Sequence, residues 1–284
     1  VGEVENSGQE ISLKSTNVKT GDLTWTTTLV FSRNRNKLTK LLGGENDQDI
    51  GNEWFTGEPI NSIYGYDMPG EVYTEAEFFA GNTPAKFFPG HFKVTDIKTS
   101  EGNNLYNADD DRKILGYDDP NYRFGITNVV TYKNFTFSMF INSIQGGGGF
   151  YKADPNNLIA GGQDFARRHN QTAVRPYWTP TNPTTNSPGI FWSQPVSGPL
   201  LLDRSFVRFQ DISLSYNFPQ EFLDRLGLGG MTIYVSGKNV ATLTKWKGWD
   251  PEIVGGEQNT VDGGSLNRVR PLPRTFLAGL RLNF

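Results

Sequence analysis

The chain has 284 residues, enough for one large β-domain or two modest ones, and it holds no run of about 18 apolar residues that would make a transmembrane helix. It has no Cys and two His, His91 and His169, so disulfides and thiolate metal sites are excluded and a histidine zinc site is disfavoured. The net charge of −3 comes without a basic stripe, which argues against a nucleic-acid partner. The 32 Gly imply many turns, and an aromatic content of 13% suits a barrel that needs aromatic girdles.

In chain order, Gly8 to Ser15 reads as a short strand with Ile11 and Leu13 on one face. A Lys-Thr-Gly-Asp turn follows within 17–22. Leu23 to Arg33 is a second strand, with Trp25, Thr27, Leu29 and Phe31 on one face and Thr24, Thr26, Thr28 and Ser32 on the other. Residues 34–57 read as connection. Pro59 to Tyr66 reads as a third strand, in which Ile60, Ser62, Tyr64 and Tyr66 share a face.

Residues 67–122 form a long polar region. Asp109, Asp110 and Asp111 within it are expected to be a solvated turn beside Arg112 and Lys113. Asn121 to Tyr132 and Phe135 to Ser143 make the clearest hairpin, closed by Lys133 and Asn134. Residues 145–204 are rich in Gly, Pro and Asn. A structureless loop that long is rare in a compact soluble domain and ordinary on the extracellular side of an outer-membrane barrel. Ser205 to Phe218 is a strand, Pro219 to Gly230 a short helical turn, and Met231 to Val240 another strand.

The final strand, Arg274 to Phe284, places Phe276, Ala278, Leu280, Leu282 and Phe284 on one side. About 10 residues of tilted strand cross a bilayer. The tally is about eight long strands. With the last one ending at the periplasmic side, the connections 67–122, 145–204 and 242–273 fall outside and 133–134 and 219–230 inside. That is the rule of long outer loops and short inner turns. Residues 34–57 are long for an inner turn and 17–22 short for an outer one. The expected fold is therefore all-β, an antiparallel transmembrane β-barrel. A soluble all-β carbohydrate-binding or hydrolase domain, and an independent barrel of about eight strands, remain as rivals.

An ordered set of motifs then resembles SusC/RagA-type TonB-dependent transporters, the large outer-membrane barrels of Bacteroidetes. The set runs from Glu5-Asn6-Ser7-Gly8-Gln9-Glu10 through Gly57-Glu58-Pro59-Ile60 with Tyr64-Gly65-Tyr66, and Pro89-Gly90 with Asp96. It continues with Asp111-Arg112, Tyr132-Lys133-Asn134-Phe135, Trp178-Thr179-Pro180, Phe206-Val207-Arg208, Gly248-Trp249-Asp250-Pro251-Glu252 and Pro273-Arg274-Thr275-Phe276. Gly279, Leu282 and Phe284 are similar to the C-terminal assembly signal of such barrels, although Leu277 departs from it. The resemblance implies that residues 1–284 are the C-terminal portion of a plugged barrel of about 22 strands. It implies import of oligosaccharides or peptides across the bacterial outer membrane, with no enzymatic step.

The partners it implies are a SusD-like surface lipoprotein as lid, TonB acting through an N-terminal part, outer-membrane lipid, and a dimer of transporter–lipoprotein pairs. No cofactor is implied. Lys98 stands where the family often has an oxygen ligand, which argues against a calcium site. No leader precedes Val1, so the expectation is a cleaved leader or a piece of a longer chain. Trp178, Phe191 and Trp192 in the long loop are the candidate residues for contact with substrate or lid. The Pro and Gly around them suggest a rigid loop instead.

Overall fold

The computed structural model describes residues 2–42, 47–97, 111–149, 178–183, 189, 201–246, 250–252 and 272–284. Its strands are β1 (Glu3–Lys19), β2 (Leu23–Lys40), β3 (Gln48–Asp49), β4 (Trp54–Phe55), β5 (Ser62–Tyr66), β6 (Arg112–Tyr117), β7 (Tyr122–Tyr132), β8 (Phe135–Gln145), β9 (Gly148–Gly149), β10 (Leu202–Asp203), β11 (Phe206–Asn217), β12 (Gly230–Thr244) and β13 (Thr275–Asn283). Seven of them form one sheet in the order β1-β2-β7-β8-β11-β12-β13. Every pair in it whose register is resolved is antiparallel. Among the described residues no helix is long and apolar enough to cross a membrane, which says nothing of crossing by strands.

The chain divides into two compact units. One comprises Val1–Val4, Lys37–Asp119 and Gly147–Asp203, and the other Glu5–Asn36, Pro120–Gly146 and Arg204–Phe284. The second holds most of the sheet. The first holds the short two-stranded pairs β3–β4, β5–β6 and β9–β10.

The expected tally of about eight strands needs a correction. Ser62–Tyr66 does form a strand, but it pairs with Arg112–Tyr117 and lies outside the large sheet. Removing it repairs both connections that fitted poorly. Leu23 pairs with Tyr132, so the β1–β2 turn lies at the same end as the Lys133-Asn134 turn, and the Lys133 N–H donates to the Asp22 carbonyl at 2.9 Å. The 17–22 turn is thus one of the short turns. The stretch between β2 and β7 is a single long connection leaving from the opposite end, as do those between β8 and β11 and between β12 and β13. All short turns lie at one end and all long loops at the other, as in outer-membrane barrels.

The expected helical turn after Pro219 is a helix at Gln220–Asp224. A second short helix, Glu75–Phe79, begins at a capping box: Thr74 Oγ1 accepts from the Glu77 N–H at 3.2 Å, and Glu77 Oε2 accepts from the Thr74 N–H at 2.8 Å.

Candidate functional site

Residues directly opposite in an antiparallel ladder share a face. One face can therefore be followed strand by strand. Leu280, Ile233, Tyr216, Phe135, Tyr132 and Leu23 form one row across it, and Ala278, Val235, Leu214, Phe137, Val130 and Trp25 form the next. The opposite face carries rows of another kind: Gly279, Tyr234, Ser215, Thr136, Thr131 and Thr24, then Leu277, Ser236, Ser213, Ser138, Val129 and Thr26. The sheet has one apolar face and one mostly polar face. On the apolar face the large side chains are uncovered: Leu280 is 57% and Val235 53% exposed. A contiguous apolar surface of this extent on a folded chain marks lipid or partner contact.

The two ends of that face carry aromatic clusters. At the short-turn end Phe135 packs on Tyr216 at 4.6 Å between ring centres, Tyr216 on Phe218 at 5.0 Å, and Phe218 on Phe222 at 5.2 Å. At the long-loop end Phe31 and Tyr122 lie 5.9 Å apart and Tyr122 and Phe124 6.5 Å. From Tyr122 to Tyr132 the strand rises about 33 Å at ~3.3 Å per residue. Tilted by about 40°, it spans about 25 Å of height, the apolar band of a membrane barrel between its girdles.

One polar patch interrupts the apolar face. Asn17 Nδ2 donates to Thr27 Oγ1 at 2.6 Å, Thr27 Oγ1 donates to Asn128 Oδ1 at 2.7 Å, and Trp25 Nε1 donates to the same oxygen at 3.1 Å. In hydrocarbon polar groups have only one another to bond, and here they form a ladder across three strands.

On the polar face Gly279 is required by a close approach. A Cβ there would overlap the Tyr234 ring that lies across it from the paired strand. Towards the long-loop end the β11 register shifts between Phe209 and Asp211, opposite Asn239 at φ 52°. The bulge moves Phe209 onto the apolar face, beside Ile141, and turns Arg208 to the other side.

Arg208 is 1% exposed. Its Nη2 contacts both Asp250 oxygens at 2.7 and 2.9 Å, its Nη1 contacts Glu252 Oε2 at 2.7 Å, its Nε donates to Thr242 Oγ1 at 3.2 Å, and its guanidinium lies 4.9 Å from the Phe206 ring centre. A buried guanidinium is tolerated because its fork is matched by carboxylates. The cluster ties residues 250–252 to the wall. Two of the quoted motifs, Phe206-Val207-Arg208 and Asp250-Pro251-Glu252, thus meet in space, which sequence spacing does not reveal.

In the loop-bearing unit a small core forms. Val72, Phe92 and Trp178 are one buried cluster, and Tyr73, Phe87 and Val94 another, with Met68 against both. Residues 67–73 and 90–95 run side by side: the Tyr73 N–H donates to the His91 carbonyl at 2.9 Å and the Lys93 N–H to the Glu71 carbonyl at 2.8 Å. Gly90, at φ 87°, has no room for a Cβ because the Trp178 ring would lie 2.6 Å from it.

His91 is buried between the Phe87 and Phe88 rings, accepts the Phe88 N–H at its Nδ1, and among the described residues has no hydrogen-bond partner at Nε2. Burial pulls its pKa from 6.5 to about 4. The Tyr73 phenol is pushed up to about 12 by burial and by the Glu77 charge. Lys93 bonds Glu77 at 2.7 Å; that bond, against some desolvation, holds the ammonium pKa above its usual value. For Glu77 desolvation acts upward, but bonds from Lys93 and Thr74 outweigh it and hold the carboxyl below its usual range.

Of the candidate contact residues, Trp178 is 7% exposed and packed in this core. Phe191 and Trp192 lie outside the described residues. Asp111, expected in a solvated turn, is buried and accepts the Ile97 N–H at 2.7 Å, while Asp109 and Asp110 lie outside the described residues. Trp246 is buried. Among the described residues no three His, Asp or Glu side chains converge as a metal site.

No family model matches the chain. Curated relatives do match. TonB-dependent receptor P3 of Formosa agariphila is 33% identical over the whole of this chain and 29% of its own length. TonB-dependent receptor SusC of Bacteroides thetaiotaomicron is 26% identical over the whole chain and 27% of its own length. Among solved structures, the RagAB peptide importer in its open-open state superposes with a TM-score of 0.71 at 24% identity, covering all of this chain and 29% of that one. Its closed-closed state gives 0.67 at 25%, covering all of this chain and 30% of that one. The chain thus spans under a third of the length of the relatives it matches. Over its whole length the chain is similar to a stretch of these TonB-dependent receptors, and its seven-stranded antiparallel sheet has the fold of that stretch of their barrel wall.

Proposed function

We propose that this chain supplies wall and loops to a TonB-dependent outer-membrane importer of oligosaccharides or peptides, capped by a SusD-like lipoprotein. The observation that carries the reading is the two-faced sheet, with an uncovered apolar face between two aromatic rims, a polar face opposite, and every long loop at one end. The names of the relatives support it: SusC is a TonB-dependent receptor, and RagAB is described as a peptide importer. Residues 1–284 are read as the C-terminal portion of the barrel, and 145–204 as its long extracellular loop. Energy from TonB enters through parts of the protein outside this chain, and the role is passage of cargo without chemistry on it. A dimer of transporter–lipoprotein pairs belongs to the same reading.

Substrate or lid contact through Trp178, Phe191 and Trp192 is part of the proposal. For Trp178 such contact requires the loop core to open, since its ring is packed against Val72 and Phe92. A soluble sugar-binding domain is disfavoured, because it would cover the apolar face that stands exposed here.

The test is uptake. Cells carrying the complete transporter take up labelled oligosaccharide or peptide, lose uptake when tonB is deleted, and yield a surface lipoprotein on mild purification. Uptake that survives loss of the transporter, or that ignores TonB, rejects the proposal.

A further inference from the structure

We propose that Arg112 is a receptor for a carboxylate carried by the cargo. The inference rests on the import reading above and names the chemical class that one loop site selects. Arg112 opens β6 and pairs directly with Tyr66 on β5, and Tyr64 lies two residues along the same face. The guanidinium sits 5.5 Å from the Tyr64 ring centre and 5.9 Å from that of Tyr66. Tyr64 is held in turn: its ring packs on buried Phe55 at 4.7 Å, and its N–H donates to Glu53 Oε2 at 3.2 Å. The two rings therefore present the guanidinium in a fixed orientation.

What the arrangement lacks is an anion. Arginine carries five N–H donors in a planar fork. Among the described residues the Arg112 side chain makes no hydrogen bond and no ion pair, and its Nε is buried. Three described acidic groups on or flanking the β5–β6 pair are engaged elsewhere. Asp67 pairs with Lys113 at 2.8 Å, Glu58 accepts from the Tyr117 hydroxyl at 2.7 Å, and Asp111 accepts from the Ile97 N–H.

The same chain shows the filled form of this motif. Arg208 also lies over an aromatic ring, and its fork is occupied by Asp250 and Glu252. Arg112 has the rings without the carboxylates. A buried Nε–H without an acceptor is costly, and a planar carboxylate matches the guanidinium fork with two parallel bonds. Two cargo types bring such a group, a uronic acid residue of an oligosaccharide and the free carboxyl of a peptide.

The experiment uses the complete transporter with its lipoprotein, titrated calorimetrically with tri-galacturonate and with a tripeptide free acid. Neutral trigalactose and the same tripeptide as its C-terminal amide are the counterparts. The expected result is that at least one of the two carboxylates binds. Arg112→Gln weakens it by about tenfold or more, Arg112→Lys weakens it less, and the neutral counterparts bind equally to all three proteins. Binding of tri-galacturonate alone assigns the site to uronates, and of the free acid alone to peptide ends.

Equal affinity of wild type and Arg112→Gln for both carboxylates overturns the proposal, as does no binding of either to wild type. Where Arg112→Gln misfolds, Arg112→Lys supplies the variant comparison, since it keeps the charge and loses the planar fork, and an affinity for both carboxylates equal to wild type overturns the proposal. TonB-dependent uptake in cells is scored separately. Uptake indifferent to Arg112 and to carboxylates removes this site and leaves the import reading standing, whereas no TonB-dependent uptake removes that reading.

Discussion

The wall and the loop unit are built inside out relative to each other. In the seven-stranded sheet the large apolar side chains, such as Val235 and Leu280, stand uncovered, and Arg208 is among the most buried groups. In the loop unit Phe92 is 0% exposed, and Phe87 and Val72 are nearly as deep. One chain thus follows two solvents. The loop core obeys the rule for water, with apolar groups inside. The wall follows the rule for a membrane barrel, with apolar side chains uncovered on one face and polar groups on the other. An average over the whole composition blends the two and describes neither.

The difference can be broken most strongly in the loop core. Phe92→Ala empties the centre of the Val72–Trp178 cluster and is expected to destabilise the loop unit by about 3–5 kcal/mol. The same change should leave the wall intact. Proteolysis of the detergent-solubilised transporter reads both at once: earlier cutting within 47–97, with unchanged heat-dependent gel mobility of the barrel. Loss of the mobility shift as well would show that the two parts share one cooperative unit.

The next test reverses the burial rule within two adjacent residues. Leu214 lies on the apolar face and Ser213 on the polar one. Leu214→Arg is expected to cost about 2–4 kcal/mol near the middle of the membrane, and Ser213→Arg little. Unfolding of the barrel in urea from lipid vesicles gives both values. Equal costs would remove the assignment of the faces.

How much of this could be read in advance follows the same division. The period-two alternation at Phe135–Ile141 and Phe276–Phe284 displays the faces directly, because a strand with lipid on one side repeats every second residue. The tally went wrong at Pro59–Tyr66. A short alternating strand looks alike whether it joins a wall or pairs with β6 in a loop. Arg208 was hidden for another reason. Counting back by twos from Ile212 puts it on the lipid face, and only the bulge at Phe209–Asp211 turns it over, a backbone event with no side-chain signature. Trp178 stands out in the sequence as an aromatic but not as core, since its partners Val72 and Phe92 lie 106 and 86 residues away.

Acid should act on the loop core before the wall. His91 is held neutral by burial, with its pKa drawn from 6.5 down to about 4. A histidine whose folded pKa is depressed contributes stability that is present above pH 6.5 and lost as pH falls towards 4, because the unfolded chain takes up the proton first. The loss at full protonation is about 3 kcal/mol. Glu77, held below its usual range, adds its own loss only as pH falls below about 4.5. Loop proteolysis followed from pH 7 to pH 4 should therefore rise first through the histidine window. His91→Asn should flatten that first rise at the cost of a lower starting stability. A profile identical in the two proteins would dissociate the effect from His91.

The smallest expected effect probes the one place where the wall departs from its own rule. Thr27 and Asn128 share a hydrogen bond on the lipid side, and Trp25 and Asn17 complete the ladder. In water such a bond competes with solvent. In hydrocarbon its members have no other partner, yet measured couplings between polar side chains in membranes average only about 0.6 kcal/mol and reach about 1.7. Thr27→Val and Asn128→Leu, singly and together, form a double-mutant cycle read by urea unfolding in vesicles. Each single change strands its neighbour and should destabilise. The double change leaves only Trp25 and Asn17 to re-pair and should recover most of the loss, with a coupling of about 0.6 kcal/mol or more. A coupling of zero would mean that water or lipid head groups reach these atoms, placing the Asn128 row at the membrane surface rather than within the apolar band.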